Sequence, residues 1–354
     1  MKQKAAIFLF LASFLPGAAP AALFNYTPAY DGDESSFLVR GRIRRLFSAG
    51  YARTRETERL SPPAWWTSAT GGVYQGRTLS CRGMDTGLNL VSAEIRPVKG
   101  FSVEFEGADD RFSSGDSYES SWLHAPGQTL SLQNGVTWKN PDHRDYAETR
   151  TDLEGATKLY SLNFFARVYR TAPKNLGHGR ETAHNLDFFA GYHWYRDRIN
   201  LSEGDNTLSS DFFAPTPPRG AFSGLNSPGS MVWKGWRLGL REQAAISKRL
   251  AAEAKFAFGP RMTYRAEGMR NLGTDPADTS YIDRAYGQLS EFSAALAWKV
   301  RYDIRIELGY MGWFYSSRSG ARHTIYPGGS SSRTGLDEIK TMRRGWFLGA
   351  GWRY

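Results

Sequence analysis

Residues 303–316 read DIRIELGYMGWFYS. Ile304, Ile306, Leu308, Tyr310, Gly312 and Phe314 fall on one face, and Asp303, Arg305, Glu307, Gly309, Met311 and Trp313 on the other. A period of two predicts a half-buried strand, not a helix. Residues 341–354 repeat the pattern: Met342, Trp346, Leu348, Ala350, Trp352 and Tyr354 alternate with Thr341, Arg343, Gly345, Gly349, Gly351 and Arg353. Stretches 291–299, 101–107 and 158–168 alternate in the same way, with Phe292, Leu296 and Trp298, then Phe101 and Phe105, then Tyr160, Leu162 and Phe164 on the apolar faces.

A soluble sandwich would alternate too, so the period alone does not decide. Three features favour a membrane barrel. The strands are about ten residues or longer, which suits a tilted crossing. Aromatics lie toward the strand ends, as interfacial girdles do. The chain also closes on an alternating strand with a terminal aromatic, Tyr354, which resembles the assembly signal of bacterial outer-membrane barrels.

Composition agrees. The 354 residues include 11 Trp, 18 Tyr and 21 Phe in a chain that is hydrophilic on average. Past residue 22 nothing approaches the roughly 20 apolar residues of a spanning helix. Recurring aromatics and aliphatics exclude disorder. Lys2 and Lys4, the apolar run 5–15 and Ala19-Pro20-Ala21 predict a signal peptide over 1–21, cut after Ala21, followed by one domain over 22–354. Loss of the two lysines takes the net charge from +10 to +8. An exported basic chain meets anionic lipid, not nucleic acid. Cys81 stands alone, so no disulfide framework holds the fold.

Ten strands are expected: 44–57, 76–95, 101–110, 149–170, 186–199, 231–246, 250–264, 285–300, 303–317 and 339–354. This is an all-β, ten-stranded antiparallel transmembrane barrel. An even count puts both termini in the periplasm. Five extracellular connections follow, about 58–75, 111–148, 200–230, 265–284 and 318–338, and four periplasmic ones, of which 171–185 is long. The apolar face of the second strand changes near residue 88, which signals a bulge or a shift of register. The inner face should carry Glu104, Glu106, Glu253, Glu291 and Glu307 with Arg167, Arg237, Lys255, Lys299, Arg305 and Arg343. In so narrow a lumen these charges should pair and close it.

Two segments carry more than architecture. GRTLSCRGMDTGLNL and EIRPVKGFSVEFEGADDRF lead into SSGDSYESSW within residues 76–122. The order resembles the omptin outer-membrane proteases, where a G-[RK]-x-S strand, a turn and a third strand lead to G-x-x-x-D-x-D-W. FAGYHWYRDRIN at 189–200 and the last three strands also look omptin-like. The resemblance implies an omptin-type barrel in the bacterial outer membrane, in contact with lipopolysaccharide, and an endopeptidase built from two acids on one rim and an Asp-His pair on the other. Gly115 and Trp122 match the motif, while its two acidic positions fall on Glu119 and Ser121. The second pair should lie within 264–269, YRAEGM, yet no Asp-x-His occurs in the chain and Glu267 is the acid there.

Other acid–base neighbours are Asp116, Glu119 and His124 in one segment, Asp142 and His143 further on, and His193 with Tyr195 and Asp197 on one strand face. His178 and His184 lie six apart and suggest no metal site, and no cofactor fingerprint is present. Arg196, Arg198 and Lys234 near the upper strand ends are candidates for lipid A phosphates. With Asp116 and Trp122 they make up the candidate binding set. The sequence therefore suggests an omptin-like barrel without omptin proteolysis, acting in surface binding or adhesion, with an extracellular protein as a possible ligand. The alternative is a divergent omptin-type endopeptidase; a small channel or an envelope-complex subunit ranks lower.

Overall fold

A computed structural model describes residues 38–60, 73–125, 129–131, 137–139, 144–171, 174–175, 181–209, 219–247, 249–270, 279–301 and 304–353. The expected signal peptide, Asp142, His143, His178 and Tyr354 lie outside them.

The chain enters on β1 (Leu38–Leu60), and the second crossing is split into β2 (Val73–Arg82) and β3 (Thr86–Val98). The third is split into β4 (Phe101–Phe112) and β5 (Asp116–His124). A small hairpin, β6 (Thr129–Ser131) and β7 (Thr137–Lys139), precedes the long β8 (Arg144–Arg170). After β9 (Lys174–Asn175) come β10 (Glu181–Ser209), β11 (Gly220–Ala245), β12 (Leu250–Arg270) and β13 (Thr279–Lys299). The ninth crossing is β14 (Ile304–Ser317) with β15 (Gly320–Ile325), and β16 (Ser331–Arg353) is the tenth. All neighbours are antiparallel, and β16 pairs with β1 to close the ring.

The register fixes the shape. From Val39 the ladder of partners runs Ile95, Val103, Phe164, Ala190, Leu238, Phe258, Ser290, Phe314 and Met342, and returns to β1 at Tyr51, 12 residues above its start. Ten strands with that stagger tilt by about 40° and enclose a cylinder of about 10 Å backbone radius.

The expected faces hold. Ile306, Leu308, Leu296, Trp298, Trp346 and Leu348 are exposed on the outside, while Glu307, Met311, Trp313, Glu291, Arg343 and Phe347 are buried inside. Outward aliphatics and aromatics on every wall form the apolar band of a membrane barrel, typically about 25 Å tall.

The strands outrun the expected bounds at the extracellular end. Residues 116–124, expected in a loop, form β5, and 320–325 form β15. Beyond the bilayer neither face need be apolar, so the alternation that betrays a strand fades. The irregularity expected near residue 88 lies at 83–85, where Gly83 adopts φ +63° and separates β2 from β3. Gly115, between β4 and β5, stands against it, so two neighbouring strands bend together.

The lumen is filled in two tiers. In the lower tier Arg42 meets Glu253 at 2.6 Å, Arg44 meets Glu307 at 3.0 Å, and Arg241 meets Glu94 at 2.9 Å and Asp187 at 3.0 Å. Glu291 pairs with Arg237 and, at 3.3 Å, with Lys255. The cross-lumen pairing expected from sequence is present, with Arg42, Arg44, Glu94, Asp187 and Arg241 added to the set. Above it lies an apolar tier of Leu46, Met84, Leu88, Met262, Leu289 and Trp313, in which Trp233 stacks on Tyr315 with centroids 5.4 Å apart. Cys81 is buried and unpaired with sulfur.

Candidate functional site

Above the apolar tier the extended strands enclose an open cleft at the extracellular mouth. Its lining includes Ala52, Leu79, Cys81, Met231, Tyr264 and Asp283. Burial pushes the Cys81 thiol up to about 12, so it lines the cleft as a protonated, apolar group.

One wall is β2, β5 and β8. In register, Glu119 faces Leu79 and Thr149, and Ser121 faces Arg77 and Ala147. Both candidate residues point inward, at 8% and 7% exposure. The ladder between β5 and β8 slips at Ser121/Trp122, so Tyr146 is an extra bulged residue. It is buried, and its hydroxyl accepts a hydrogen bond from the Gln75 side-chain amide. Burial raises the Tyr146 pKa, with the Glu119 carboxylate adding to it and Arg77 opposing it.

The facing wall is β12, β13 and β15, joined by β1. The positions where the resemblance would put an Asp-His pair carry Tyr264 and Ala266 on the inward face, both buried. Glu267 points outward and pairs with Arg265 at 3.0 Å. The charge of this wall lies in a cluster that sequence reasoning missed. Arg322 donates two hydrogen bonds of 2.7 Å to the Asp283 carboxylate and contacts Glu56 at 3.1 Å. Its guanidinium lies over the Tyr281 ring, and Thr334 donates to Glu56 at 3.2 Å. Burial alone would lower the Arg322 pKa; Asp283 and Glu56 outweigh it and hold the group well above its usual value. The three members come from strand segments 38–60, 279–299 and 320–325, and no spacing in the chain links them.

The remaining candidates lie elsewhere. Asp116 is on the outer face, bound to Arg150 at 2.8 Å. Trp122 is also outward, packed over Gly76, with its indole N–H donating to Thr78 at 3.3 Å. His124 contacts the outer Tyr74 ring at 6.2 Å. Arg196, Arg198 and Lys234 alternate with the buried Tyr195, Asp197 and Trp233, and so project outward near the top of the apolar band. Lys158, in register with Arg196, joins this belt and pairs with Asp109 at 3.1 Å.

His193 does share a face with Tyr195 and Asp197, deep in the lumen. His193 Nδ1 lies 2.8 Å from the Ser161 hydroxyl and its Nε2 2.5 Å from the Tyr315 hydroxyl. Tyr195 donates to Asp197 at 2.6 Å, and Arg343 donates to Tyr195 at 3.1 Å. All six are almost fully buried within the packed tiers. This arrangement holds strands together and does not open on the cleft. Among the described residues no group of three or more His, Cys, Asp and Glu is arranged to hold a metal ion.

No family model matches the chain, and no curated protein does. Among solved structures it is similar to the outer membrane protease OmpT from Escherichia coli, with TM-score 0.66, 11% identity, and coverage of 90% of this chain and 99% of that one. The translocator domain of the autotransporter NalP from Neisseria meningitidis aligns over 92% of this chain at 10% identity, with TM-score 0.33. The chain thus has the fold of the omptin outer-membrane barrels, with a closed ring of ten strands.

Proposed function

We propose that this barrel is a surface binding module that lacks omptin-type peptidase activity. The observation that carries this reading is the wall facing Glu119. Tyr264 and Ala266 stand where a water-activating Asp-His pair would be needed, and the two carboxylates of this wall, Asp283 and Glu56, are both engaged by the Arg322 guanidinium through charge-assisted contacts. In this reading the chain is exported by residues 1–21, cut after Ala21, and sits in the outer membrane with the belt of Arg196, Arg198 and Lys234 against lipopolysaccharide phosphates. The cleft and its surrounding loops take an extracellular protein ligand.

A second reading, a divergent endopeptidase, is favoured by one observation: Glu119 and Ser121 both point inward beside the buried Tyr146, in register with Leu79 and Arg77. Incubating refolded protein in lipopolysaccharide with a broad peptide library separates the two. The binding-module reading expects no new peptide termini. Cleavage that disappears in Glu119→Ala would establish the peptidase instead.

A further inference from the structure

The floor of the extracellular cleft is apolar and already formed. Leu79 of β2 shares it with Ile199, Met231, Tyr264 and Tyr281, around a space of about 360 Å³ that counts its open upper side. The room comes from small side chains. Ala52 stands directly opposite Cys81 across β1 and β2, and Ala266 lies in register between Met231 and Asp283. All three are buried and line the same space. Below it the bore closes, because Trp233 packs on Tyr264 with centroids 4.7 Å apart and stacks on Tyr315 at 5.4 Å. Tyr281 is held from two sides. The Arg322 guanidinium lies 4.7 Å from its ring centroid, and a Cβ at Gly268 would stand 2.9 Å from its hydroxyl oxygen. An occupant therefore enters from outside and meets walls in place, which spares the cost of ordering them.

The charged members of the lining select against a charged occupant. Arg322 and Asp283 are 2% and 1% exposed and engage each other through two bonds of 2.7 Å. Arg53, the other charged member, contacts Glu338 at 3.4 Å. A charged side chain lowered onto this floor would lose water and meet groups whose charge is already engaged. An apolar one would cover the partly exposed Leu79 and Tyr281, with the Thr54 hydroxyl at its edge. We propose that this floor is the anchor site of the cleft, and that it takes one aromatic or long aliphatic side chain of an extracellular polypeptide. The inference rests on the reading of the cleft as a protein-binding surface and names what that surface recognises. A single apolar side chain seated in a fitted, desolvated pocket carries a large share of the energy in contacts of this kind.

The test uses the full mature chain refolded into lipid nanodiscs, with N-acetyl-para-fluorophenylalaninamide as the probe and fluorine NMR as the readout. Saturable line broadening is expected. N-acetyl-leucinamide is expected to displace the probe, and N-acetyl-lysinamide is not. Ala266→Leu fills the floor and is expected to weaken binding about tenfold or more, the loss that excluding one apolar side chain gives. Cys81→Leu fills it from the opposite wall and is expected to do the same. Ala266→Ser keeps the size and is expected to bind as the parent does. Folding of each variant is checked by heat-modifiable migration. Short peptides selected on the parent from a random displayed library are expected to carry an apolar residue whose change to Ala abolishes binding, and to lose affinity for Ala266→Leu. Peptides that bind the parent and both filled variants alike overturn the anchor and leave the binding-module reading standing. Absence of saturable probe binding, or displacement by the lysine amide as readily as by the leucine amide, also overturns the anchor. Probe binding with no selectable peptide overturns the polypeptide as occupant and counts against the module reading with it.

Discussion

Replacing Arg322 by Ala tests the cleft wall most severely. Arg322 and Asp283 are 2% and 1% exposed, joined by two hydrogen bonds of 2.7 Å, and Glu56 contacts the same guanidinium at 3.1 Å. Removal leaves two carboxylates facing each other with no cation between them. Breaking a buried pair from one side costs about 3–5 kcal/mol, far above the 1 kcal/mol or less of a surface pair. The lower half of that range is expected, because the cleft is open to water above and protonation or hydration of the carboxylates offsets part of the cost. Restoring neutrality with Asp283→Asn and Glu56→Gln in an Arg322→Met background should recover most of it, since apolar and neutral replacements of a buried ion set are tolerated. The assay is denaturant unfolding of refolded protein in micelles followed by tryptophan fluorescence. Trp233 packs on Tyr264 of this wall with centroids 4.7 Å apart and reports on it. A loss of under about 1 kcal/mol for Arg322→Ala, or no recovery in the neutralised set, would show that the cluster is a solvent-screened surface feature.

Further outcomes follow from the same geometry. A methyl group at Gly345 would collide with the Phe47 carbonyl in the β1–β16 seam, so Gly345→Ala should lower the fraction of barrel that closes, read as loss of heat-modifiable migration. Tyr118 donates to Glu148 at 2.8 Å, and this bond raises its pKa above the ordinary value of 10.0. The stability it contributes is full below the unfolded pKa and is lost as pH rises through the folded one. Ultraviolet titration should therefore show one phenol ionising earlier in Glu148→Gln than in the parent. Cys81, pushed up to about 12 by burial, should resist maleimide at neutral pH while the barrel is folded and react once it unfolds.

The sequence discloses the parts of this fold that touch lipid. Within the bilayer every outward residue must be apolar, so Ile306 and Leu308 or Trp346 and Leu348 mark their strands plainly, and the even strand count follows. Outside the bilayer that constraint lapses. Asp116–His124 carries polar side chains on both faces and reads as loop, although it is paired on both edges. At Glu203, φ 47° marks a bulge that switches the buried parity of β10 from Leu201 to Asn206, so no single period describes that strand. The inward placement of Glu119 and Ser121 follows from the motif spacing. The Arg322 cluster does not, because Glu56, Asp283 and Arg322 meet only once the ring has closed.

The proposed binding function takes the extracellular cleft as the working surface, above a lumen filled by side chains. Arg237 with Glu291, Lys255, and the stack of Trp233, Tyr315 and Tyr195 fill the bore. Planar-bilayer recording of the refolded protein tests this most directly. The account predicts a silent membrane with no discrete steps across a wide voltage range. Reproducible single-channel openings in the parent protein would contradict it.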